Sequence, residues 1–413
     1  MAAGIVIFVV AANFMPNEAK VEHPLESPYG VAAAQFPRTL STLIGPPLLP
    51  GNTVTELLNG DAIFPAMLAA IREARETITF ETYIYWSGEI GREFAAALSE
   101  RARAGVRVLV LLDWQGSVRM DEELLEALKA AGCEVVRYHA PKWYHLTRLN
   151  NRTHRKLLIV DGRVGFTGGV GIGDEWLGNA QSPDHWRDTH FRAEGPIVGQ
   201  MQSVFMANWI KATGIAEHTG DFFPALDPAG ELFAQMIHSS PEEGSENMRL
   251  MYLLMIASAR ESILLQQAYF VPDNMVISAL VEATRRGVRI EVILPGDLSD
   301  APRVRQAGRA RWGRLLEAGV RIFEYEPTNL HSKVMIVDGL LSSVGSTNFD
   351  NRSFRINDEA NLNVYDAGFA QQLTRTHDHD RGLSREISLA EWRARPRWEK
   401  FTDWFWSLFR HQM

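Results

Sequence analysis

Two short motifs hold the residue types and spacing on which chemistry can rest. His154-Arg-Lys156 is followed, after four intervening residues, by Asp161; His331-Ser-Lys333 is followed at the same spacing by Asp338. Both lysines precede apolar runs, Leu157 to Val160 and Val334 to Val337, so His-x-Lys opens a strand. Side chains two apart on a strand share a face, and each copy therefore presents an imidazole beside an ammonium. Asp161-Gly162 and Asp338-Gly339 read as tight hairpin turns, which gives the aspartates a positioning role. Small residues follow at matched spacing, Gly168-Gly169 and Gly345-Ser346, where the backbone can approach a bound ligand closely.

This equipment suits a phosphodiester. Developing charge on phosphate needs cations and hydrogen-bond donors held in place, and Lys156, Lys333 and Asn348 can supply them, with Ser346 and Gly169 as further phosphate-binding candidates. One histidine can attack phosphorus, dividing a difficult displacement into two; the other can protonate the leaving alcohol and deprotonate the incoming one. A single His-x-Lys would read as an ordinary surface strand start, but two copies with the same turn and glycines argue against that. A zinc site is disfavoured because a lysine beside each histidine repels a cation and no Cys or His cluster accompanies them.

The elements that position these motifs also repeat. Residues 74–85 resemble 259–270, residues 105–112 resemble 287–294, Ala131 to Tyr138 resembles Ala318 to Tyr325, and Thr153 to Gly162 resembles Leu330 to Gly339. Four blocks in one order imply a duplicated unit. Helical patterns over 93–104, 124–131 and 277–286 alternate with strand patterns over 106–112, 134–138 and 288–294, which predicts an α/β fold on a largely parallel sheet. The expected architecture is two similar α/β halves related by a pseudo-twofold axis, with the active site at their interface. The expected boundaries are an apolar segment and Pro-rich tether over 1–51, a first half over 52–212, a connection over 213–247, a second half over 248–387 and a C-terminal aromatic helix over 388–413.

Composition bounds the partners. The 413 residues are 46% hydrophobic and 22% charged, enough for a sizeable core, and the net charge of -8 argues against a broad basic face for nucleic acid. The one cysteine, Cys133, reads as a small buried apolar residue rather than a nucleophile. The N-terminal run Ile5-Val-Ile-Phe-Val-Val10 is short of a bilayer span and lacks a basic flank. It fits the tail end of a membrane anchor best, with a short secretory h-region and a docked strand as alternatives. At the other end Trp398, Phe401, Phe405 and Leu408 share one helical face, flanked by Arg395, Arg397, Lys400 and Arg410. Two readings stand: a helix lying on a membrane, or one docked on the core. Lys142, Trp143, Tyr144, Arg148, Arg152 and Arg155, just before the first motif, suggest either an entry for an anionic lipid or a solvated loop.

The paired motifs resemble those of the phospholipase D superfamily over about residues 52 to 390. Phe80-Glu-Thr-Tyr-Ile-Tyr-Trp86, His154-Arg-Lys156, His185-Trp-Arg-Asp-Thr-His190 and Gly345-Ser-Thr-Asn-Phe-Asp-Asn-Arg-Ser-Phe354 resemble bacterial cardiolipin synthases more narrowly. The resemblance implies two phospholipase D-type halves and a metal- and cofactor-independent phosphatidyl transfer. Two phosphatidylglycerols would give cardiolipin and glycerol through a phosphohistidine. It implies His154 as nucleophile and His331 as general acid and base. It also implies an acidic partner for each ring: Asp188 for His154 and Glu359 for His331, the plain alternative being that these acids only pair with nearby arginines. An anionic phospholipid substrate, a membrane surface and the bacterial inner membrane follow from it; oligomeric state does not. Hydrolysis of phospholipid, less readily of nucleic acid, is the alternative activity, and a non-catalytic scaffold is opposed by two intact motifs. One departure stands out: Gly171 occupies the place of Asn348 in the first copy, so the site is expected to be asymmetric.

Overall fold

The computed structural model describes residues 21, 25–140, 150–241 and 244–410. The N-terminal apolar run and Lys142, Trp143, Tyr144 and Arg148 lie outside the described residues. The first half supplies strands β1 (Leu49–Leu58), β2 (Thr77–Thr82), β3 (Arg107–Asp113), β4 (Glu134–Tyr138), β5 (Arg152–Thr153), β6 (Leu157–Val160), β7 (Val164–Gly168) and β8 (Thr189–Glu194). The second supplies β9 (Leu232–Ser239), β10 (Ser262–Gln267), β11 (Phe270–Val271), β12 (Arg289–Pro295), β13 (Arg321–Tyr325), β14 (Lys333–Val337), β15 (Leu341–Gly345), β16 (Phe349–Asp350), β17 (Asn357–Tyr365) and β18 (Ser384–Ile387).

One sheet runs through both halves. Outward from the antiparallel β9–β1 pair, the first half runs β1-β8-β7-β6-β2-β3-β4 and the second runs β9-β17-β15-β14-β10-β12-β13, with β18 at the far edge. The two orders match strand for strand, which is the pseudo-twofold relation the repeats imply. The parallel character is narrower than expected. Only β2-β3-β4 and β10-β12-β13 run parallel along this path, and the strands nearer the centre are antiparallel. The reason lies in the hairpins at Asp161 and Asp338, which force β6 to reverse into β7 and β14 into β15.

Two expected boundaries move. The stretch read as a connection holds β9, which pairs β17 on one side and β1 on the other. The Pro-rich tether holds a helix, Gln35–Ile44, and the start of β1. Pro50 and Gly51 hide β1 from a periodicity reading. They sit at a register shift between Leu49 and Asn52, and Gly51 has a φ of 87°, as a bulge requires.

Each half has its own apolar core, and a third joins them. Leu109, Leu111, Leu157 and Ile159 of the first half pack in one cluster with Leu264, Val334, Ile336, Val344 and Leu362 of the second. The helices Ile197–Thr213 and Ala367–Gly382 contribute Met201, Phe205, Phe369 and Leu373 to it. Cys133 is buried in the first half's core, as its apolar neighbours imply. Among the described residues no helix is long and apolar enough to cross a membrane.

The motif aspartates close this frame. Asp161 and Asp338 have φ of 51° and 52°, each followed by a glycine in the same left-handed region. The Asp161 carboxylate accepts from the backbone N–H groups of Arg75, Glu76 and Thr77 at 2.8–3.1 Å; Asp338 does the same for Arg260, Glu261 and Ser262 at 2.8–3.1 Å. Each thus ties its hairpin to the start of the neighbouring strand. At about 3.3 Å per residue, this lies some 16 Å along the strand from the motif lysine, so the chemistry is out of reach. Asp338→Ala is expected to cost about 2–3 kcal/mol of stability in urea unfolding, because three donors lose their acceptor. The folded fraction should keep its turnover within a few-fold, and a large loss of turnover at unchanged stability would assign Asp338 a chemical role.

Candidate active site

His154 and His331 line one cavity of about 530 Å³, together with Lys156, Asn348, Tyr83, Tyr269, Trp86, Trp186, Arg152 and Arg352. Both halves contribute, as the duplicated motif implies. Each histidine is brought there by a short extended lead-in that pairs with the opposite half. β5, just before His154, runs parallel to the start of β17, and His154 N–H donates to Asp358 O at 2.9 Å. Leu330, just before His331, bridges Arg187 in parallel, and His331 N–H donates to Arg187 O at 2.8 Å.

This cross-pairing decides the carboxylates. His154 Nδ1 lies 3.0 and 3.1 Å from the two Glu359 oxygens, and His331 Nδ1 lies 2.9 Å from Asp188 Oδ2. The expected partners, Asp188 with His154 and Glu359 with His331, are therefore exchanged. The residue beside each histidine in space follows from the bridging strand pair, which a within-half reading of the repeat cannot show. Nor do these acids serve arginines: Arg187 turns to Asp380 with contacts of 3.1 and 2.8 Å. Each carboxylate holds Nδ1, so Nε2 is the nitrogen turned to chemistry, and at His331 the Lys333 ammonium stands 3.1 Å from that Nε2.

The small residues after each motif serve these carboxylates rather than phosphate. Ser346 Oγ donates to Glu359 Oε2 at 2.5 Å and accepts from Ala360 N at 3.0 Å. At the matching position, a Cβ on Gly169 would stand 2.1 Å from Asp188 Oδ1, so glycine makes room for the acid. Both expected phosphate ligands are thus positioning residues, and neither reaches the cavity wall. Asn348 does line the cavity. A side chain on Gly171 would stand 2.8 Å from Ile84 Cβ and 3.2 Å from the Trp176 ring, which accounts for the missing second asparagine. Trp176 was not anticipated. Its indole N–H donates to Asp188 at 2.9 Å, and its ring lies edge-on to His331 at 5.4 Å. Its matching position in the second copy is Ser353, whose hydroxyl hydrogen-bonds Glu359, so the two halves meet one need with unlike residues and comparing them did not single out the indole. Arg352 lies within the quoted Asn-Phe-Asp-Asn-Arg run and could have been singled out there. Arg152 lines the cavity, whereas Arg155 is fully buried, donating to Glu359 O, Val204 O and Ser239 O, and forms no entry.

Burial and crowded positive charge set the protonation states. Burial, then Lys156 and Lys333, drives His154 well below its usual range; burial and Lys333 lower His331, opposed by the Asp188 hydrogen bond. Both rings are therefore neutral near pH 7. Burial lowers Lys333 to about 8, and burial with the neighbouring Lys333 charge lowers Lys156. The Lys156 and Lys333 ammonium groups donate back to the carbonyls of His154 and His331 at 2.8 and 2.5 Å. Burial pushes Asp188 up, but the His331 hydrogen bond, the Lys333 charge and the Thr189 N–H outweigh it, so it stays ionised. Burial raises Glu359 against the pull of Lys156. Among the described residues no three His, Cys, Asp or Glu side chains converge as a metal site.

Residues 67–181 and 252–381 match the family described as cardiolipin synthase, PLD-like domain. The sequence is 37% identical over 343 residues to the cardiolipin synthase of Geobacillus kaustophilus, covering 82% of this chain and 68% of that one. It is 35% identical over 384 residues to cardiolipin synthase A of Pseudomonas fluorescens, covering 93% and 79%. This chain belongs to the cardiolipin synthase family of phospholipase D-like proteins. Among solved structures, the phosphatidylserine synthase of Haemophilus influenzae superposes with a TM-score of 0.69 over 92% of this chain and 99% of that one. At 14% identity that likeness concerns the fold alone.

The crossed pairs have a spectroscopic test. Asp188→Asn should remove the low-field Nδ1 proton signal of His331 and leave that of His154, and Glu359→Gln should do the reverse. The opposite pattern would restore pairing within halves. The pH profile is a second test. The kcat/KM of the free enzyme should fall as pH rises through about 7 to 8, where Lys156 and Lys333 lose their protons, whereas ordinary lysines would hold it to about pH 10. A flat profile past pH 9 would show that the buried lysines stay charged.

Proposed function

We propose that this protein joins two phosphatidylglycerols to give cardiolipin and glycerol, with His154 as nucleophile and His331 as general acid and base. The observation that carries the reading is the pair of Nδ1-anchored imidazoles, one from each half, facing a single cavity with lysine and asparagine beside them. Membership of a family whose relatives bear the name cardiolipin synthase supports the substrate. On this reading the His154 Nε2 lone pair attacks phosphorus as the P–O bond to the glycerol headgroup breaks. In the substrate complex the phosphate charge and the ionised Asp188 favour the His331 imidazolium, which gives its Nε2 proton to the leaving oxygen and keeps the Nδ1 proton on Asp188. The hydroxyl of a second phosphatidylglycerol then gives its proton to His331, and its oxygen attacks phosphorus as the P–N bond breaks. Lys156, Lys333 and Asn348 stabilise the charge on the transferring group.

The division of labour rests on the unequal carboxylates. His331 sits on an ionised Asp188 that also takes the Trp176 indole N–H, an environment that stabilises an imidazolium. His154 is lowered further, and its Glu359 is raised by burial, which favours a neutral ring with a free lone pair. Arg152 and Arg352 add positive charge for a second lipid phosphate. The substrate is a lipid, so the enzyme works at a membrane surface, by its bacterial relatives that of the cell membrane, with no cofactor and no nucleic-acid partner.

Incubation with phosphatidylglycerol in detergent and excess chelator is expected to yield cardiolipin and glycerol. Phosphatidic acid alone would make the protein a hydrolase, and full loss of activity on chelation would overturn the metal-free route. His154→Ala and His331→Ala should each lower turnover on the order of 10³-fold or more. With a substrate carrying an activated leaving group, His331→Ala should still accumulate phosphorylated protein. If only His154→Ala does so, the roles are reversed.

A further inference from the structure

The C-terminal helix Arg397–Ser407 packs against the helix Pro302–Arg309 through its polar face. Asp403, buried, accepts from Arg309 Nε and Nη2 at 2.9 and 3.0 Å and also from Arg395. Glu399 lies 3.3 Å from Arg309, and the Arg303 guanidinium stands 4.7 Å over the Trp406 ring. The face left to solvent is the apolar one. Trp398 is 66% exposed, Phe401 62% and Trp404 53%, with Phe405, Leu408 and Phe409 beside them. The docked reading of this helix is the one the structure shows, and its aromatic stripe points away from the core. Single exposed apolar residues are ordinary, but six on one short segment mark an interaction surface.

Its position and charge indicate the partner. Val304 of the underlying helix and Asp300 just before it line the active-site cavity. Past the other end, Arg410 O accepts from Asn351 Nδ2 at 3.4 Å, between the cavity residues Asp350 and Arg352. The stripe therefore borders the wall of the cavity. Of the basic side chains over 393–410, Arg395 turns inward to Asp403 and Arg393 pairs with Glu317, whereas Arg397, Lys400 and Arg410 remain beside the stripe, and the two acids, Glu399 and Asp403, both turn inward. A second copy seated on this stripe by a twofold would oppose basic residues to basic residues, which disfavours pairing. An anionic bilayer complements them, with tryptophan rings at headgroup depth and lysine and arginine among the phosphates.

We propose that this aromatic, basic face of residues 397–410 seats the protein on an anionic lipid surface beside its active-site cavity. The proposal rests on the phosphatidyl-transfer reading for its purpose, but its test does not. The full chain carrying Trp398→Ser, Phe401→Ser and Trp404→Ser, all exposed, is compared with the wild type. Tryptophan quenching by brominated acyl chains is read in mixed phosphatidylcholine–phosphatidylglycerol vesicles. Transfer is read on those vesicles and on short-chain phosphatidylglycerol below its critical micelle concentration. The N-terminal apolar run contains no tryptophan, so it adds no fluorophore of its own. The wild type should be quenched, more strongly with phosphatidylglycerol than without it. The variant should lose most of that quenching and about tenfold in vesicle rate, while its rate on the monomeric lipid stays within twofold. Equal quenching of variant and wild type overturns the proposal, as does an oligomer lost in the variant with no wild-type quenching. Quenching without transfer on either lipid would sink the proposed activity and leave the docking surface standing.

Discussion

The hydrogen bond from each catalytic-type imidazole to a carboxylate of the other half is the constraint on which the rest of the molecule turns. His154 is held by Glu359 and His331 by Asp188; β5 pairs in parallel with β17, which bears Glu359, and Leu330 bridges Arg187, the residue before Asp188, in the same sense. The contact between halves is therefore the alignment device of the site. A slip along it would misdirect both rings at once. This explains why so much buried apolar surface is devoted to joining the halves, in a core to which strands of both contribute, and why the sheet continues unbroken through the β9–β1 pair.

The same enclosure governs the electrostatics. Two lysines and two neutral histidines share a buried space, and burial pushes all four towards their uncharged forms. An arriving phosphate relieves that pressure, since its negative charge favours protonated lysines. Affinity for the anion and the depressed lysine pKa values are two sides of one free-energy balance. The unpaired site is poised against its own charge, and the substrate completes it.

Much of this was legible in the residues, and the misses have physical causes. The repeat exposed the halves, the hairpins and the shared site because each depends on local pattern: period-two strands, Asp-Gly turns, matched spacing. Both acids were identified, but their partners were exchanged, because which half a carboxylate faces is a property of how halves pack. Ser346 and Gly169 carried the signature of a backbone close to something. The close object proved to be the carboxylate, Ser346 by a hydrogen bond and Gly169 by absence of a side chain. β1 and β9 escaped notice because Pro50 and Gly51 at a bulge, and acidic and glycine-rich residues ahead of β9, mimic linkers. Trp176 is matched in the other half by Ser353, a residue of another type on the other acid, so internal comparison did not single it out.

The crossing of partners also bears on descent. A chain with one copy of this fold could build such a site only by meeting a second molecule, and identical subunits would give both histidines identical surroundings. Fusion of the copies into one polypeptide breaks that enforced equality, because a substitution then alters one side alone. Asp188 against Glu359, Gly169 against Ser346 and Gly171 against Asn348 are the accumulated record of that freedom. On the proposed division of labour they turn two equivalent bases into a pair with separate vocations, a differentiation that no symmetric homodimer can inherit.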